Sequence, residues 1–591
     1  MESNNSWRVR LAQILLGAVI VIALVWVHRT NAGDEPVHLV TDWSHRHVIF
    51  SAPHNLGQHV HLLSNPRYVQ QLVRRNAKAS GNPEVWRWQR APESPERLQG
   101  DWSMNMGNGA LVGQYMYPAK YSFDASAANC ANAVAPLQPD FVAYNTTRPG
   151  SATQATIIAY DNIYSGCTGT VPQTYWAYNT GAGDAVLTSL AISGAGDQVA
   201  FAQAITSGTS SLVLLKWAAG TGTAGNPATP TSVLPANYHT CTAPCMTTLA
   251  FSGGGNSGAS EAFYDFANDT IYVGDNKGQL HKFTDVFKGP TAPAEVVSTG
   301  ANVWPAVVAP GFALTSPVFE DGGFTVLVAA SNVTLYEVSS TIGSGAGGVV
   351  ASAQLGSNGI NDSPVVDSST GKVYVYVRGD LSAGANKRVG VFQFPLGFAA
   401  GSHGSEAVVS TTNTIPVILF TGDFDNTYYT GTGTSGNLYV CGTIGAGSGL
   451  WQIPITGTGG MGTPVQAFAL TTSNTACSPI TEFDNPNGGG LGVARDLIFL
   501  SVQGNSVTSA PVNCPAPSGG CLMSVDLTSG LPTGTFATRA EAGGTSGIIV
   551  DGASTFAGAS QIYFTPLGNQ RCTTSGSIGG CAIQASQQGL N

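Results

Sequence analysis

The residues TIYVGDNKGQLHKF, at positions 270–283, carry the clearest structural signal in this chain. Two short arms rich in β-branched and aromatic residues flank a DNKG turn, a pattern typical of a β-hairpin. Similar strand pairs recur along the 591 residues, and these copies all have the same Gly- or Asn-bounded form: FTVLVAASNVTLYEV at 324–338, GKVYVYV at 371–377 with VGVFQF at 389–394, and GNLYVCG at 436–442 with GLWQIPI at 449–455.

Each hairpin follows a short apolar strand, and these first strands mark a repeat. The clearest begin at Ser316 (SPVFE), Ser363 (SPVVD) and Ser478 (SPITE). Related starts are DFVAY at Asp140, TSLAIS at Thr188, TTLAFS at Thr247, VILFTGD at Val417 and SGIIVD at Ser546. Spacings run from 47 to 69 residues. A fourth, outer strand fits between most units, as in AEVVST at residues 294–299.

Three or four strands per unit, in eight units, predict an all-β chain folded as a β-propeller. Each blade is a small sheet that buries its faces only against its neighbours. We expect seven or eight blades and prefer eight; seven would follow if the first unit has no outer strand. Residues 113–124, GQYMYPAKYSFD, are the expected partner of the last blade that closes the ring. A parallel β-helix is the structural alternative, but its rungs are shorter and more regular.

Composition narrows the class of protein further. The chain holds 74 Gly, and only 10% of its residues are charged against 43% hydrophobic, which excludes wholesale disorder. Residues 1–100 carry eleven Lys or Arg and seven Asp or Glu, whereas residues 101–591 carry thirteen bases and 27 acids. A body so poor in cations cannot neutralise a run of phosphates, so no nucleic-acid partner is expected.

The N-terminus predicts export. Arg8 and Arg10 precede the apolar run LAQILLGAVIVIALVWV at residues 11–27, which reads as a signal anchor or a signal peptide, with the uncleaved anchor preferred. We therefore expect a cytoplasmic segment at 1–10, a membrane helix at 11–27, a linker at 28–100 and the propeller at 101–591. Residues 34–100 of the linker hold six of the ten histidines and a short basic helix at 65–79. These histidines have two interpretations, a metal site or polar residues of an extended linker, and the polar linker is the stronger one.

Cysteine usage agrees with export, because all ten cysteines follow the apolar run. Three close pairs and two longer pairs left by elimination are expected to form disulfides: Cys241–Cys245, Cys514–Cys521, Cys572–Cys581, Cys130–Cys167 and Cys441–Cys477. Ten cysteines permit many other connectivities. Zinc is the competing interpretation, but no CxxC pair occurs and only His239 lies near a Cys pair.

The strands GKVYVYV and TIYVGDNKGQLHKF resemble the repeat of the quinoprotein-like, or pyrroloquinoline-quinone-type, β-propellers, in which G-x-V-Y-V-G precedes G-x-L-Y. That superfamily includes quinone-dependent dehydrogenases and non-catalytic scaffolds such as the outer-membrane assembly lipoprotein. The resemblance lies in the sequence pattern of the repeats and covers residues 139–585. The family's T-G-K-x-x-W pattern appears only as DSSTGKVYV at 367–375, without the Trp, and no adjacent Cys-Cys pair occurs. These departures disfavour a quinone enzyme, and no cofactor is expected.

No catalytic residue emerges from the sequence. No GxSxG elbow surrounds a Ser, and only His239, His281 and His403 lie in the propeller region. Asp423 and Asp425 resemble the start of a calcium loop, but the acid and Gly that should follow are missing, so turn chemistry is the stronger interpretation. Six aromatic residues are candidates for stacking on a sugar or anchoring a protein, with core packing as the alternative: Tyr175, Trp176, Tyr178, Tyr428, Tyr429 and Trp451.

The sequence therefore predicts a periplasmic or extracellular propeller, tethered to the inner membrane by residues 11–27 or secreted after cleavage. We expect a non-catalytic scaffold that binds a protein or a glycan in the cell envelope. The alternative is an enzyme, an oxidoreductase or a polysaccharide hydrolase or lyase, that uses the central funnel. A structural envelope protein is a third class. Titratable side chains converging on the funnel would favour the enzyme.

Overall fold

Eight sheets of four to six strands follow one another along the chain, and each is one blade of a β-propeller. The computed structural model describes residues 39–41, 48–49, 68, 71 and 98–590, and within the last range it omits 124–127, 133–137, 206–207, 257–259, 321, 358, 380–388, 411–417, 432, 445, 474, 486–494, 516–518, 532–534, 552–560, 573–575 and 588–589. Residues His38–Asn591 form one unit.

The first four blades run from the inner strand at the central channel to the outer strand at the rim. Blade 1 contains Ala119–Ser122, Phe141–Asn145, Ile157–Asp161 and Gln173–Tyr178. Blade 2 contains Ala185–Val186 with Ala191–Ile192, then Gln198–Ala204, Ser211–Lys216, Cys245–Ala250 and Thr231–Ser232. Blade 3 contains Phe263–Asp265, Thr270–Gly274, Gln279–Thr284 and the outer pieces Ala294–Glu295 and Ala306–Val307. Blade 4 contains Val318–Glu320, Thr325–Ala330, Thr334–Ser339 and Val349–Ala351.

The other four blades repeat the same order. Blade 5 contains Val365–Asp367, Lys372–Arg378, Val389–Pro395 and Ser405–Ser410. Blade 6 contains Asp423–Phe424, Asn437–Ile444, Gly447–Pro454 and Val465–Ala469. Blade 7 contains Thr481–Asn485, Arg495–Val502, Gly520–Asp526 and Ala537–Glu541. Blade 8 contains Ile549–Asp551, Gln561–Phe564, Ile578–Ser586 with Gln570–Arg571, and Gln99–Gly107. Two short helices, α1 (Pro235–Tyr238) and α2 (Asn426–Thr430), lie between strands.

The ring is closed by a strand that the sequence did not reveal. Gln99–Gly107 pairs antiparallel with Ile578–Ser586, so an early segment supplies the outer strand of blade 8. The prediction that residues 113–124 close the ring was wrong, because Ala119–Ser122 is the inner strand of blade 1. The closing strand, QGDWSMNMG, is polar and interrupted by two register shifts, so its alternation is weak. Eight blades, the preferred number, are confirmed.

Two predicted first strands take other positions. DFVAY forms the second strand of blade 1, and TTLAFS belongs to Cys245–Ala250, an outer strand of blade 2. The true inner strand of blade 3 is Phe263–Asp265. The error has a physical cause: inner and outer strands of a propeller present the same short apolar pattern. Seven blades were the alternative if the first unit had no outer strand. Gln173–Tyr178 is that outer strand, so this reason for seven blades does not hold.

Burial follows position within the blade. In the hairpin that opened the sequence argument, Thr270–Gly274 is buried throughout, whereas Gln279–Thr284 alternates in part. Second strands such as this one have a neighbouring blade on both faces, so they read as nearly continuous apolar runs. Each fully buried apolar side chain contributes about 1.5–3 kcal/mol relative to exposure. The stacked faces of the blades are therefore the main source of stability.

Two short strands from the segment before residue 98 join the inner edges of opposite blades. Leu39–Thr41 pairs antiparallel with Lys120–Ser122 of blade 1. Val48–Ile49 pairs in parallel with Val366–Asp367 of blade 5. Both additions lie on the channel side of an inner strand, near its carboxyl end. The chain thus reaches both sides of the channel within a few residues.

All five predicted disulfides are present. They are Cys130–Cys167, Cys241–Cys245, Cys441–Cys477, Cys514–Cys521 and Cys572–Cys581, with Cα–Cα distances of 5.6, 6.4, 6.2, 6.2 and 5.4 Å. Cys441–Cys477 joins blade 6 to the chain that enters blade 7. Five disulfides indicate an extracytoplasmic protein.

The predicted membrane helix at 11–27 lies outside the described residues, as does most of the predicted helix at 65–79. Of the latter, Tyr68 and Gln71 are helical, and Gln71 Nε2 donates to the Val48 carbonyl at 2.8 Å. Within the part of the chain that is described, no helix has the length and apolar character needed to cross a membrane.

Candidate functional site

A hydroxyl side chain stands just before the inner strand in seven of the eight blades. These residues are Ser189, Ser260, Ser316, Ser363, Thr421, Ser478 and Ser546, and Tyr117 takes the place in blade 1. All of them are buried. They place one polar group per blade at the entrance of the central channel, where the inner strands begin.

Hydrogen bonds at this level link every blade to the next, and the chain of links closes on itself. The links are Tyr117 N to Ser189 Oγ (2.8 Å), Ser189 Oγ to Glu261 Oε1 (2.6 Å), Glu261 N to Ser316 Oγ (3.0 Å), Ser363 Oγ to the Ser316 carbonyl (2.9 Å), Thr421 N to Asp362 Oδ2 (2.9 Å), Ile480 N to the Thr421 carbonyl (3.0 Å), Thr481 Oγ1 to the Ile548 carbonyl (2.8 Å) and Gly547 N to the Met116 carbonyl (2.8 Å). We call these residues the inner belt.

Residues 113–117, just before the inner strand of blade 1, reach across the ring. Gln114 Nε2 donates to the Cys477 carbonyl beside blade 7 at 3.2 Å. The ring of Tyr115 stacks on Phe420, which precedes the inner strand of blade 6, with centroids 5.7 Å apart. Burial raises the pKa of Tyr115 to about 12, and the charges of Glu261 in blade 3 and Asp362 in blade 5 add to the shift. Tyr115 therefore lies in the middle of the channel entrance.

Glu261 is a buried carboxyl in the inner belt. It follows Ser260, at the place where Pro317, Pro364 and Pro479 stand in other blades. Burial raises the pKa of Glu261 well above its usual value, and the charge of Asp362 acts in the same direction against the hydrogen bonds from Ser189. Its Oε2 atom has no hydrogen-bond partner.

A second buried cluster joins blade 1 to blade 8 at the other end of the inner strands. Lys120 Nζ lies 2.7 Å from Asp551 Oδ2, donates to Ser122 Oγ and faces the ring of Tyr164 at 5.7 Å. The Tyr164 hydroxyl donates to Asp140 Oδ2 at 2.7 Å and to Asp551 Oδ2 at 3.3 Å. Burial raises the pKa of Asp140 to about 6, although Lys120 opposes that rise. We call these residues the Lys120 cluster.

His281, on the third strand of blade 3, is held between two carboxylates. Its Nδ1 lies 2.5 Å from Glu295 Oε1 and its Nε2 lies 3.4 Å from Asp275 Oδ2, while the ring stacks on Phe251. Burial lowers the pKa of His281, but the hydrogen bonds and charges of the two carboxylates outweigh it, so the pKa is raised overall. The remaining Glu295 oxygen accepts from Ser252 N at 2.8 Å. This cluster lies where blade 3 meets blade 2, since Phe251 and Ser252 directly follow Cys245–Ala250, and it is away from the channel because His281 is on the third strand.

The calcium candidates are engaged in hydrogen bonds. Asp425 caps α2, with Oδ1 accepting from Tyr428 N at 3.1 Å and Oδ2 from Asn437 Nδ2 at 2.7 Å. Asp423 Oδ2 accepts from Glu482 N at 2.8 Å, and its other oxygen accepts from the Tyr429 hydroxyl. Among the described residues, no three His, Cys, Asp or Glu side chains are arranged to hold a metal ion.

Four of the six candidate binding aromatics are buried in the core: Tyr175, Trp176, Tyr178 and Tyr428. Trp176 stacks on Trp217 and Tyr178, and Tyr428 stacks on Phe424 and donates to Asp367 Oδ2. The blade faces need large side chains, so these four rings have a packing role and no exposed face for a ligand. Tyr429 and Trp451 are half-buried against the same core.

Sequence analysis missed Tyr115, Glu261 and the Lys120 cluster. A signal for the belt was present, because the Ser that begins SPVFE and SPVVD recurs, once as Thr, before the inner strand of seven blades. Aligning the repeats on that Ser would have shown Glu261 as the one acid beside it in blade 3. No local signal marks Tyr115, since its position depends on which blade lies opposite.

The eight sheets, the closed inner belt and the closing strand Gln99–Gly107 define the chain as an eight-bladed β-propeller. Among solved structures, it is similar to BamB from Moraxella catarrhalis, with 11% identity, coverage of 82% of this chain and 97% of that one, and a TM-score of 0.35. It is similar to the dihydro-heme d1 dehydrogenase NirN, with 12% identity, coverage of 77% of this chain and 76% of that one, and a TM-score of 0.36. It is also similar to Saccharomyces cerevisiae Sqt1, with 8% identity, coverage of 84% of this chain and 100% of that one, and a TM-score of 0.42. No protein-family model matches the sequence, and no curated protein matches it.

Proposed function

We propose that this chain is an exported, membrane-tethered β-propeller scaffold that binds a protein or a glycan in the cell envelope through its outer surfaces. The observation that carries the proposal is the position of Tyr115, which lies across the channel entrance against Phe420. A substrate would have to displace residues 113–117 to enter there. The outer faces and rim remain for a partner.

Export and tethering rest on two further observations. The five disulfides need an oxidising compartment to form and persist. The apolar run at residues 11–27, with Arg8 and Arg10 before it, fits an uncleaved anchor to the inner membrane. We place the chain with the non-catalytic scaffolds of the quinoprotein-like superfamily, on the G-x-V-Y-V motif of the second strand in blade 5 and the related TIYVG of the second strand in blade 3.

One observation favours the alternative, a funnel enzyme acting as an oxidoreductase or a polysaccharide hydrolase or lyase. Glu261 is buried, its pKa is raised, and one of its oxygens has no partner. Groups of this kind are enriched in catalytic sites. Glu261 also links blades 2 and 4 through Ser189 and Ser316, which is a sufficient structural reason for its presence.

Site-directed photocrosslinking in the cells that naturally produce the chain distinguishes the scaffold from the funnel enzyme. The photoreactive residue p-benzoylphenylalanine replaces, one at a time, exposed apolar residues on four blades: Leu234, Phe312, Phe324 and Ile578. The matched channel position is Tyr115. The scaffold predicts a discrete adduct from at least one rim position and no external adduct from position 115. An external adduct from position 115 alone would support the funnel enzyme and contradict the scaffold.

Tethering is tested by alkaline carbonate extraction of membranes that contain the full chain. The proposal predicts that the chain stays in the pellet and that replacing Leu16 and Val21 by Arg releases it, because two central charges oppose membrane insertion. Release of the unmodified chain by carbonate would contradict the tether.

A further inference from the structure

Most of blade 6 is uncharged, although its inner strand begins with Asp423. No Asp, Glu, Lys, Arg or His occurs anywhere from residue 426 to residue 481, although the chain carries a net charge of −10. The next longest uncharged stretch is much shorter, at residues 497–525. The neutral stretch includes the three outer strands of the blade and the loops between them.

The outer strand of blade 6, Val465–Ala469, is an uncovered sheet edge. It pairs with Gly447–Pro454 on its inner side. On its outer side, no backbone group of the strand is bonded to any described residue. By contrast, the Thr221 carbonyl accepts from Ala177 N on the outer strand of blade 1, at 2.8 Å.

The outer strands of three other blades carry charged residues that discourage pairing, and the uncharged outer strand of blade 4 is partly covered because Gly401 N donates to the Ala351 carbonyl at 2.9 Å. Blade 5 has Glu406, blade 7 has Arg539 and Glu541, and blade 8 has Asp101. Charges, bulges and coverage are the usual means by which proteins protect a sheet edge. Val465–Ala469 has one register shift and no charge, no described residue pairs with its outer side, and Val465 is 49% exposed.

We propose that two copies of this chain associate by pairing their Val465–Ala469 edges antiparallel about a two-fold axis at Ala467. Val465 of one copy then lies opposite Ala469 of the other, and Gln466 lies opposite Phe468. The edge is self-complementary, as a two-fold interface requires. Elsewhere the two acidic bodies repel, so the uncharged outer part of blade 6 is where two copies approach without like-charge contact.

The dimer is expected to be weak. A five-residue edge pair is small beside the roughly 1,200–2,000 Å² that stable interfaces bury. We therefore expect dissociation on dilution through the micromolar range. Association through blade 6 is independent of the proposed envelope partner, so the two proposals stand or fall separately.

The test is sedimentation equilibrium of the full chain in density-matched detergent, with the variants Q466E and Q466K. Gln466 is exposed, so either substitution leaves the fold intact, which the melting temperature checks. Across the two-fold axis the two Gln466 side chains are diagonal neighbours about 7–8 Å apart. Like charges there should weaken the dimer about fivefold. An equimolar mixture of the two variants should restore at least wild-type association, because Glu then faces Lys.

The control is A540E, on the exposed outer strand of blade 7, which should associate as the wild type does. A wild-type chain that stays monomeric at several hundred micromolar would overturn the proposal. So would a dimer that neither Gln466 variant weakens, or variants whose mixture recovers no association. If the edge instead binds an extended segment of another protein, the purified wild-type chain stays monomeric, and this result overturns the proposal.

Discussion

Replacing Lys120 by Met removes the cation that compensates two buried carboxylates at the junction of blades 1 and 8. Lys120 and Asp551 are only 2% and 3% exposed, and their charged atoms are 2.7 Å apart. Asp140 shares the cluster through Tyr164. Met keeps most of the side-chain volume, so the substitution tests the charge more than the packing.

The magnitude follows from what the carboxylates lose. Breaking a buried ion pair by removing one partner costs about 3–5 kcal/mol. Asp140 keeps the hydrogen bonds from Phe123 N and Asn129 N, whereas Asp551 loses its ion pair and keeps the longer hydrogen bond from Tyr164. We expect the free energy of unfolding of K120M to fall by about 3–5 kcal/mol at pH 8.

The loss should depend on pH in a defined direction. Asp140 has a pKa of about 6 in the folded protein, above its value of 3.8 in the unfolded chain. A raised carboxyl pKa makes folding bind protons, so stability falls as pH rises from about 4 to 6. Removing Lys120 raises the pKa of Asp140 further, which extends this fall above pH 6. K120M should therefore lose less stability at pH 5 than at pH 8.

Guanidinium unfolding followed by tryptophan fluorescence at pH 5 and pH 8 measures the effect. The double variant K120M/D551N should recover part of the loss, because it leaves a smaller uncompensated charge. A single variant within 0.5 kcal/mol of the wild type at pH 8, or a double variant no more stable than the single, would refute the reasoning.

The remaining predictions concern three other parts of the ring. Replacing both Cys441 and Cys477 by Ser should cost about 4 kcal/mol, since the crosslink spans 36 residues; calorimetry checks this, and a melting temperature equal to that of the wild type argues against it. Trp102→Ala, on the closing strand, should cost about 3–5 kcal/mol in denaturant unfolding, and an unchanged midpoint would mean that the strand is not docked. His281→Gln should flatten the fall in stability from pH 6.5 upward, because the raised pKa of His281 stabilises the fold below its unfolded pKa and that contribution is lost as pH rises through the folded value; parallel melting curves of variant and wild type from pH 6 to 9 would exclude this role.

Local pattern was sufficient for most of the fold. The hairpins are contiguous in sequence, so their turns and alternation mark them directly. The starts at Ser316, Ser363 and Ser478 are followed by inner strands as predicted. The three close cysteine pairs lie within single blades, where the intervening loop brings them together. Pairings of this kind need no knowledge of the ring.

What the sequence could not show depends on the ring. The closing strand pairs with residues more than four hundred positions away, and nothing in QGDWSMNMG identifies its partner. Tyr115 contacts blade 6 only because that blade lies across the channel. The aromatic prediction failed for a related reason, because a propeller covers both faces of each blade. Tyr175 and Trp176 pack together against Phe141 and Trp217, and Ala177 on the other face is buried too.

The account depends most on residues 113–117 crossing the channel entrance. Placing p-benzoylphenylalanine at position 115 of the full chain, irradiating it and mapping the product by mass spectrometry tests this directly. The account predicts an intramolecular crosslink from position 115 to the residues around Phe420. A chain with no internal crosslink, in which position 115 reacts only with solvent or with an external molecule, would contradict it and leave the channel open to a substrate.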